Sequence, residues 1–282
     1  MRPAPFELVS PKSTEEALSL LASGGVPIAG GQSLVQAMRL RERTPSVVVD
    51  IGAIPSLDAE INYQGDCLTI GAKVTHQQLA ANQLVGQDFP WLAEAAYRIG
   101  DQQVRNHGTT IGNLCWADPR ANMAVALLAS DAEVEFLNAV SPAPETMPIS
   151  EFFSGFQQPN AQAQLVTAVK VKRNNGSLGV YSEFSRQRQD LAVVSASVLN
   201  HKDNWAVALG GMAQTPIRVA KIEERLDSIR TIADLKRILE TLQEVNPIED
   251  SYGSRDFKVH TAATLIARAF QRLSYDRSGA TK

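Results

Sequence analysis

Two adjacent glycines, Gly30 and Gly31, lie between an apolar run and a helical pattern in the segment Ala29–Leu34. A glycine lacks the Cβ atom that would keep a ligand away from backbone N–H groups. The N–H groups at a helix start have no intrahelical partner, and the helix dipole favours an anion there. Ser33 could cap the helix or donate to an oxygen atom. The segment predicts either a phosphate site or a tight turn with positive φ, and on these residues alone the turn is the simpler interpretation.

The glycine pair matches neither of the two common phosphate-binding signatures. No Gly-Lys-Ser/Thr triplet follows it, as a P-loop would require, and the chain has no GxGxxG fingerprint of a Rossmann fold. If the segment binds phosphate, the chain has another nucleotide-binding fold.

Metal-binding residue types are few and scattered. Cys67 and Cys115 are the only cysteines and do not form a CxxC motif, so we expect no iron–sulfur cluster or zinc site built by this chain alone. The four histidines are far apart in the sequence and are interpreted as polar surface or capping residues. We predict no metal ligands and no catalytic acid or base.

Composition excludes some classes of partner. The 282 residues carry a net charge of -3, which gives no electrostatic reason to expect nucleic acid. No apolar run approaches the length of a membrane span. Prolines and Glu7 stand in the first residues, where a signal peptide would need an apolar stretch. We therefore expect a cytoplasmic protein without a membrane span.

The first half of the chain has alternating strand and helix patterns. Ser13 with Glu16, and Thr75 with Gln78, have the spacing of capping boxes. Pro119 suits the first turn of a helix, whereas residues 104–119 are too irregular for a long element. The predicted strands are 6–9, 26–29, 46–51, 67–74, 132–137 and 164–172, and the predicted helices lie within 10–25, 34–43, 89–99 and 120–130.

The second part of the chain has strands first and helices afterwards. This order predicts an antiparallel sheet with helices on one face. Its predicted strands are 180–186, 191–199 and 205–212, and its helices are 227–243 and 254–273. A loop at 172–179 marks a boundary, so we predict one domain at 1–175, divided into 1–55 and 56–175, and a second domain at 176–282.

Five segments together resemble one family, the FAD-binding medium subunits of molybdenum hydroxylases such as carbon monoxide, xanthine, quinoline and nicotine dehydrogenases. AGGQSL resembles their first flavin-pyrophosphate loop, and VRNHGTTIGNLCWADP resembles the second, usually VRNxGTIGGNxxxADP. FSRQRQDLAVVSASV is similar to the segment near the flavin ring, and GGMAQTPIR and YGSRDFK to two C-terminal signatures. Five matches in the right order are far more specific than any one of them.

The resemblance implies an α+β fold: a two-part FAD-binding domain of the vanillyl-alcohol oxidase type, followed by a C-terminal antiparallel sheet with packed helices. It also implies an electron-transfer subunit. A molybdenum cofactor in a large subunit would oxidise the substrate, and two [2Fe-2S] clusters in a small subunit would carry electrons to the FAD of this chain for delivery to an external acceptor. The expected assembly is a dimer of heterotrimers.

The resemblance also implies which residues of this chain bind the cofactor. The implied residues are Ala29, Gly30, Gly31, Gln32, Ser33, Leu34, Thr109, Thr110, Ile111, Gly112, Asn113, Asp118, Asn122, Leu165, Arg186, Asp190 and Leu191.

Four positions depart from the family pattern. Thr110 and Ile111 replace isoleucine and glycine, and a β-branched residue would strain a loop that needs positive φ. Asn122 replaces an acidic residue, and Leu191 replaces a frequent tyrosine. Ordinary family drift is one interpretation. The alternative is a flavin-free homologue that keeps the fold and binds partner subunits; a stand-alone flavin oxidase or reductase is a third hypothesis.

Overall fold

The computed structural model describes residues 2–141, 143–160, 164–173, 176–202 and 204–279. Residue 175, the predicted end of the first domain, therefore lies outside the described residues, whereas residue 176 lies within them.

The N-terminal strands and helices form a small parallel α/β unit, as the pattern predicts. Its elements are β1 (Glu7–Val9), α1 (Thr14–Ala22), β2 (Val26–Ile28), α2 (Leu34–Leu40) and β3 (Val47–Asp50), followed by a 3-10 turn at Ile51–Ala53. The sheet order is β1-β3-β2 with parallel pairing, so the apolar strand β3 is central.

The helix ends of this unit differ in detail from the predictions. The Ser13 hydroxyl accepts a hydrogen bond from the Glu16 N–H (3.2 Å), but the Glu16 carboxylate accepts from the Lys12 N–H (2.8 Å), so only half of the capping box forms. Helix α2 stops at Leu40, before the predicted end at residue 43, because Arg41 takes a left-handed conformation with φ +65°.

The middle of the chain folds around a five-stranded antiparallel sheet. Its elements are β4 (Ile61–Gln64), β5 (Cys67–Gly71), α3 (His76–Ala81), α4 (Gln83–Asp88), α5 (Pro90–Tyr97), α6 (Gln102–His107), α7 (Thr110–Trp116), α8 (Asn122–Ala129), β6 (Glu133–Leu137), β7 (Glu145–Pro148), α9 (Ile149–Phe152), β8 (Phe153–Gly155), β9 (Gln158–Pro159) and β10 (Leu165–Lys172). The sheet order is β4-β5-β10-β6-β7, and β8 pairs separately with β9.

Local signals account for some of these elements and not for others. The capping box of Thr75 and Gln78 is complete at the start of α3. The stretch 104–119 contains the end of α6 and all of α7, separated by the cap residues Gly108 and Thr109. Pro119 is not in the first turn of α8, because Asp118 accepts the Arg120 N–H (2.9 Å) in a tight turn and the helix begins at Asn122.

The C-terminal part is an antiparallel sheet with helices, as predicted. Its elements are β11 (Leu178–Phe184), β12 (Val194–His201), β13 (Asn204–Gly210), β14 (Ile217–Arg218), α10 (Ala220–Glu223), a 3-10 turn at Leu226–Ser228, α11 (Ile232–Thr241) and α12 (Arg255–Gly279). The strand order follows the sequence, β11-β12-β13-β14.

Helices cover both faces of this C-terminal sheet, whereas the sequence predicted cover on one face. Alternate strand residues such as Val198 and Val207 pack with α11 and α12. The others, such as Leu199 and Ala208, join the core of the elements that precede β11, which we call the N-terminal half; β11 and the elements after it form the C-terminal half. Helix α8 packs against β12 and β13, and all eight of its residues are buried. An all-round apolar helix of this kind lies inside a protein, so α8 joins the two halves into one packed unit.

Candidate cofactor site

Each of the two glycines in the first loop (Ala29–Leu34) is required for a different structural reason. A Cβ atom on Gly30 would lie 1.8 Å from the carbonyl oxygen of His107 and 2.9 Å from the Cα of Gly108, so Gly30 allows two backbone segments to touch. Gly31 has φ +70°, a conformation that other residues rarely adopt. The turn that the sequence favoured is therefore present at Gly31, and it stands directly against the second loop.

The polar side chains of the first loop are not used to cap the helix. Ser33 makes no side-chain capping hydrogen bond and has an αR backbone, so its hydroxyl remains available to a ligand. The Gln32 amide donates to the Gly30 carbonyl (3.2 Å). Because α2 has only seven residues, the groups of the loop itself, more than the helix dipole, would contact an anion. An open cleft of about 290 Å³ beside this loop is lined by Gln32, by His107 and by other residues of α6 and its cap.

The second loop is anchored to the connection between β5 and α3. The His76 N–H donates to the Gly108 carbonyl (2.9 Å), and the Thr110 N–H donates to the Val74 carbonyl (3.0 Å). Thr109 is the N-cap of α7, and its hydroxyl accepts the Gly112 N–H (3.0 Å). The loop and the first turn of α7 are thus held by hydrogen bonds on both sides.

The prediction that Ile111 strains the backbone of the second loop is wrong. Ile111 lies in the first turn of α7 and is absent from the residues with positive φ, and its side chain is 3% exposed within the main core beside Leu114. A helical backbone accepts a β-branched residue at modest cost. Isoleucine at this position is a packing residue that leaves the backbone relaxed.

Buried polar atoms without protein partners occur in the same helix. Thr110 Oγ1 and Asn113 Oδ1 are both buried and have no hydrogen-bond partner among the described residues. Buried polar groups are normally satisfied, and one left alone costs about 1–3 kcal/mol. A hydroxyl and an amide carbonyl beside a glycine loop suit the phosphate and hydroxyl groups of a dinucleotide, so these residues fit an FAD.

Asp118 is committed to a protein contact. It is 3% exposed, and its two oxygens accept from Nε and Nη2 of Arg120 (both 3.1 Å). The Arg120 guanidinium lies 5.7 Å from the ring centroid of Tyr252, and that of Arg186 lies 5.3 Å from the same ring. Arg186 also donates to the Ser251 carbonyl. The structure thus brings Asp118 and Arg186 into one cluster through Tyr252.

Asn122 lies at a second contact between the two halves. It is 5% exposed, and its amide donates to Glu183 Oε2 (2.8 Å). The Tyr181 hydroxyl donates to the same oxygen (3.1 Å). Burial raises the pKa of the Glu183 carboxyl, and the hydrogen bonds from Tyr181 and Asn122 together with the positive charge of Arg98 lower it in part. Glu183 and Tyr181 were not among the predicted site residues, because no local pattern links them to Asn122.

The remaining predicted residues divide between surface and core. Arg186, Asp190 and Leu191 are exposed in the connection from β11 to β12, and Leu191 is 47% exposed. Leu34 and Leu165 are buried core residues. The structure therefore brings the first loop against His107 and Gly108, which directly precede Thr109–Asn113, and it places Leu34 and Leu165 in the core.

His76 was also missed. It was interpreted as a surface or capping residue, but it is 3% exposed, and its ring lies under Gly108, with Cδ2 3.1 Å from the position of a Cβ there. Burial lowers the pKa of His76 to about 3, and the nearby Arg105 charge acts in the same direction. Its Nδ1 has no hydrogen-bond partner among the described residues. The imidazole is therefore a neutral part of the support beneath the second loop.

Comparison with known proteins decides the family. Residues 4–171 match the family described as the FAD binding domain in molybdopterin dehydrogenase, and residues 179–273 match the CO dehydrogenase flavoprotein C-terminal domain. The chain belongs to this family. Among the residues that the structure describes, no helix is long and apolar enough to cross a membrane, and no group of three or more His, Cys, Asp or Glu could hold a metal ion.

Members of this family resemble the chain along nearly its whole length. The 6-hydroxypseudooxynicotine dehydrogenase complex subunit alpha of Paenarthrobacter nicotinovorans is 33% identical, over 96% of this chain and 95% of the relative. The glyceraldehyde dehydrogenase medium chain of Sulfolobus acidocaldarius is 29% identical, over 97% of this chain and all of the relative. A solved carbon monoxide dehydrogenase from Hydrogenophaga pseudoflava superposes with a TM-score of 0.87 at 28% identity, covering 96% of this chain and 98% of that chain.

Proposed function

We propose that this chain holds FAD between the loop Ala29–Leu34 and the segment Thr109–Asn113, and passes electrons from an iron–sulfur subunit to an external acceptor. The contact of Gly30 with His107 is the observation that supports it most, because two segments that resemble flavin-pyrophosphate loops lie directly side by side. FAD, when bound, supplies the electron-carrying chemistry, and the protein contributes binding and electrostatics.

Each loop has groups suited to a part of the cofactor. Gly31 and the free Ser33 hydroxyl in the first loop, and the unpartnered polar atoms of Thr110 and Asn113 in the second, would bind polar groups of FAD. Arg186 and Tyr252 would border the ring end from the C-terminal half. We retain the other residues predicted from the family resemblance as part of this proposal.

The rest of the reaction would take place in partner chains. We infer a large molybdenum-cofactor subunit and a small subunit with two [2Fe-2S] clusters, in a cytoplasmic dimer of heterotrimers. The relatives' names support a multi-subunit enzyme, since one is a complex subunit alpha and another a medium chain. The free cysteines Cys67 and Cys115 agree with a reducing compartment. The division into 1–175 (1–55 and 56–175) and 176–282 remains part of the proposal.

The flavin-free alternative has lost its principal support. It rested on a damaged second loop, and Ile111 instead packs in an unstrained helix. A stand-alone flavin enzyme has no support of its own from these observations.

Isolation of the native complex through an affinity tag on this chain tests the proposal. After denaturation, we expect about one FAD per copy of the chain, and molybdenum and iron only with the other subunits. The native mass should fit two copies each of three different subunits. Absence of released flavin would refute FAD binding, and elution of the chain as an active monomer would refute the electron-transfer role.

A further inference from the structure

Asn122 and Glu183 form a polar contact across the boundary between the two halves. Asn122 is the first residue of α8 and follows the second loop closely, and Glu183 is the penultimate residue of β11. The Asn122 amide donates to Glu183 Oε2 at 2.8 Å and, more weakly, to the Ala95 carbonyl at 3.4 Å. The donor and the acceptor come from positions 61 residues apart.

Among the residues that the structure describes, the Glu183 carboxylate forms no salt bridge. Both of its hydrogen bonds, from Asn122 and from the Tyr181 hydroxyl, end on Oε2, and no group within the described ranges hydrogen-bonds Oε1. Arg98, the C-cap residue of α5, carries a positive charge near it, but that guanidinium is paired with Glu94 at 2.6 Å. Glu183 is partly buried, and withdrawing a carboxylate from water without a salt bridge costs free energy and raises its pKa. Groups with perturbed pKa values occur preferentially at functional sites.

The pair also explains why position 122 is an amide. An aspartate there would place a second carboxylate within hydrogen-bond distance of Glu183 Oε2, and two like charges so close cannot both ionise easily. The asparagine side chain donates instead and holds Glu183 in place. The acidic group of the family pattern is therefore not lost from this region: an acidic side chain reaches it from the C-terminal sheet.

We propose that Glu183 tunes the FAD of this chain, supplying from β11 the negative charge of the flavin site, with Asn122 and Tyr181 as the residues that position it. This inference rests on the proposed function. A nearby negative charge opposes the addition of electrons, so Glu183 should lower the reduction potential of the flavin. The charge faces Arg98 and Glu94 from α5 and Tyr181 from its own strand.

Replacing Glu183 tests the charge while preserving the shape. Glu183→Gln keeps an oxygen that can accept from Asn122 and Tyr181, and the midpoint potential of FAD in the assembled complex is measured from pH 5 to pH 9. At high pH we expect the midpoint potential of the variant to lie about 30 mV above that of the wild type. For a two-electron couple this difference corresponds to an equilibrium constant for flavin reduction that is about tenfold larger. The difference should shrink at low pH, where wild-type Glu183 becomes protonated.

A charge swap distinguishes tuning from structure. Asn122→Asp alone should reduce flavin content and thermal stability, because two carboxylates meet. Asn122→Asp with Glu183→Gln restores an amide–carboxylate pair and should return both flavin content and potential toward the wild-type values. Glu135→Gln, which removes an acid paired with Lys170 on the five-stranded sheet, is the charge-matched control and should leave the potential unchanged.

Two results would overturn the inference. If Glu183→Gln binds FAD with the wild-type potential at every pH, Glu183 is a structural residue only. If Glu183→Gln loses flavin, the variant that combines Asn122→Asp with Glu183→Gln is measured instead. If that double variant folds and binds FAD but its midpoint potential does not return toward the wild-type value, Glu183 does not tune the flavin. A wild-type complex without flavin would instead refute the proposed function itself, and with it this inference.

Discussion

The buried imidazole of His76 should make the stability of the protein sensitive to acid. Its folded pKa is depressed to about 3 by burial and by Arg105, whereas the unfolded chain has a pKa near 6.5. The unfolded state therefore takes up a proton as pH falls below about 6.5, and the folded state does not. The stability contributed by neutral His76 is fully present above about pH 6.5 and is lost as pH falls toward 3.

Replacing His76 should reduce that acid sensitivity. The free energy of unfolding of wild type should fall by up to about 1.4 kcal/mol per pH unit more steeply than that of His76→Gln between pH 6 and 4. Denaturant titrations of the apo chains at several pH values measure the two slopes. His260→Gln, at an exposed position on α12, is the matched control and should follow the wild type. Parallel curves for wild type and His76→Gln would contradict the prediction.

At the scale of single residues, local signals could be predicted from the sequence and long-range contacts could not. The glycine pair could be identified as a special turn, and Thr75 with Gln78 as a cap, because both signals lie within a few residues. The environment of Ile111 could not be predicted, since its relaxed backbone follows from the Thr109 cap and from packing in the core. The pairing of Asn122 with Glu183 joins distant parts of the chain and has no local signal at all.

Contact between the first loop and the start of the second loop should determine whether the cofactor binds. Gly30→Ala would place a Cβ 1.8 Å from the His107 carbonyl oxygen, so the two segments must move apart. We expect this variant to lose most of its FAD. Gly31→Ala incurs the backbone cost of positive φ, about 1–2 kcal/mol, and brings a Cβ within 3.2 Å of a Val35 methyl group. Because none of the atoms nearest to that Cβ belongs to the second loop, the variant should retain more flavin than Gly30→Ala. The flavin-to-protein absorbance ratio after gel filtration measures both effects.

A third glycine separates backbone strain from loop contact. Gly65 has φ +61° in the turn between β4 and β5, and a Cβ there would meet nothing within 4 Å. Gly65→Ala should therefore lower the melting temperature through the backbone cost alone, by no more than Gly31→Ala, while leaving the flavin ratio at the wild-type value. Full flavin retention in Gly30→Ala would mean that the contact with His107 does not shape the site.

Elements differ in how well local patterns define them. The parallel β1–β3 unit and the strands β11–β13 were predictable, because their apolar runs are bounded by caps, glycines and prolines. Helices α6 and α7 were not, since both are short and depend on the caps of Asp101 and Thr109, and α7 contains Thr, Gly and Asn, which have low helix propensity. The uniformly apolar α8 signalled burial, but no pattern could show that the C-terminal sheet covers it.

At the scale of the whole molecule, α8 makes the two halves interdependent. It packs on α5 on one side and on β12 and β13 on the other. Separation of the two halves would therefore expose apolar surface of α8 to water. The Gly211 N–H also donates to the Pro119 carbonyl (2.9 Å), directly beside the Asp118 turn. Two of the predicted site residues, Asp118 and Asn122, lie along this boundary, and Asn122 bonds Glu183 across it.

Arg218 is a charged link across the same boundary. From β14, its guanidinium bonds Glu223 through Nε (2.6 Å) and Nη2 (3.1 Å), and Asp131, just beyond α8, through Nη1 (2.5 Å). Glu223 also accepts the Val207 N–H (2.8 Å), so removal of the arginine leaves a partly buried carboxylate without its cation. We expect Arg218→Ala to cost about 1.5–3 kcal/mol of unfolding free energy.

The same link predicts how the chain unfolds. Asp131→Asn removes only the exposed partner, whose side chain is 74% exposed, and should cost less than about 1 kcal/mol; asparagine also tolerates the φ of +49° at that position. Because α8 lies between the halves, denaturant unfolding of wild type and of both variants should be a single transition, monitored by tryptophan fluorescence and by circular dichroism. Arg218→Ala should shift its midpoint and Asp131→Asn hardly at all. Two separated transitions in the wild type would show that the C-terminal sheet folds independently, and that α8 packs against it without coupling the two halves.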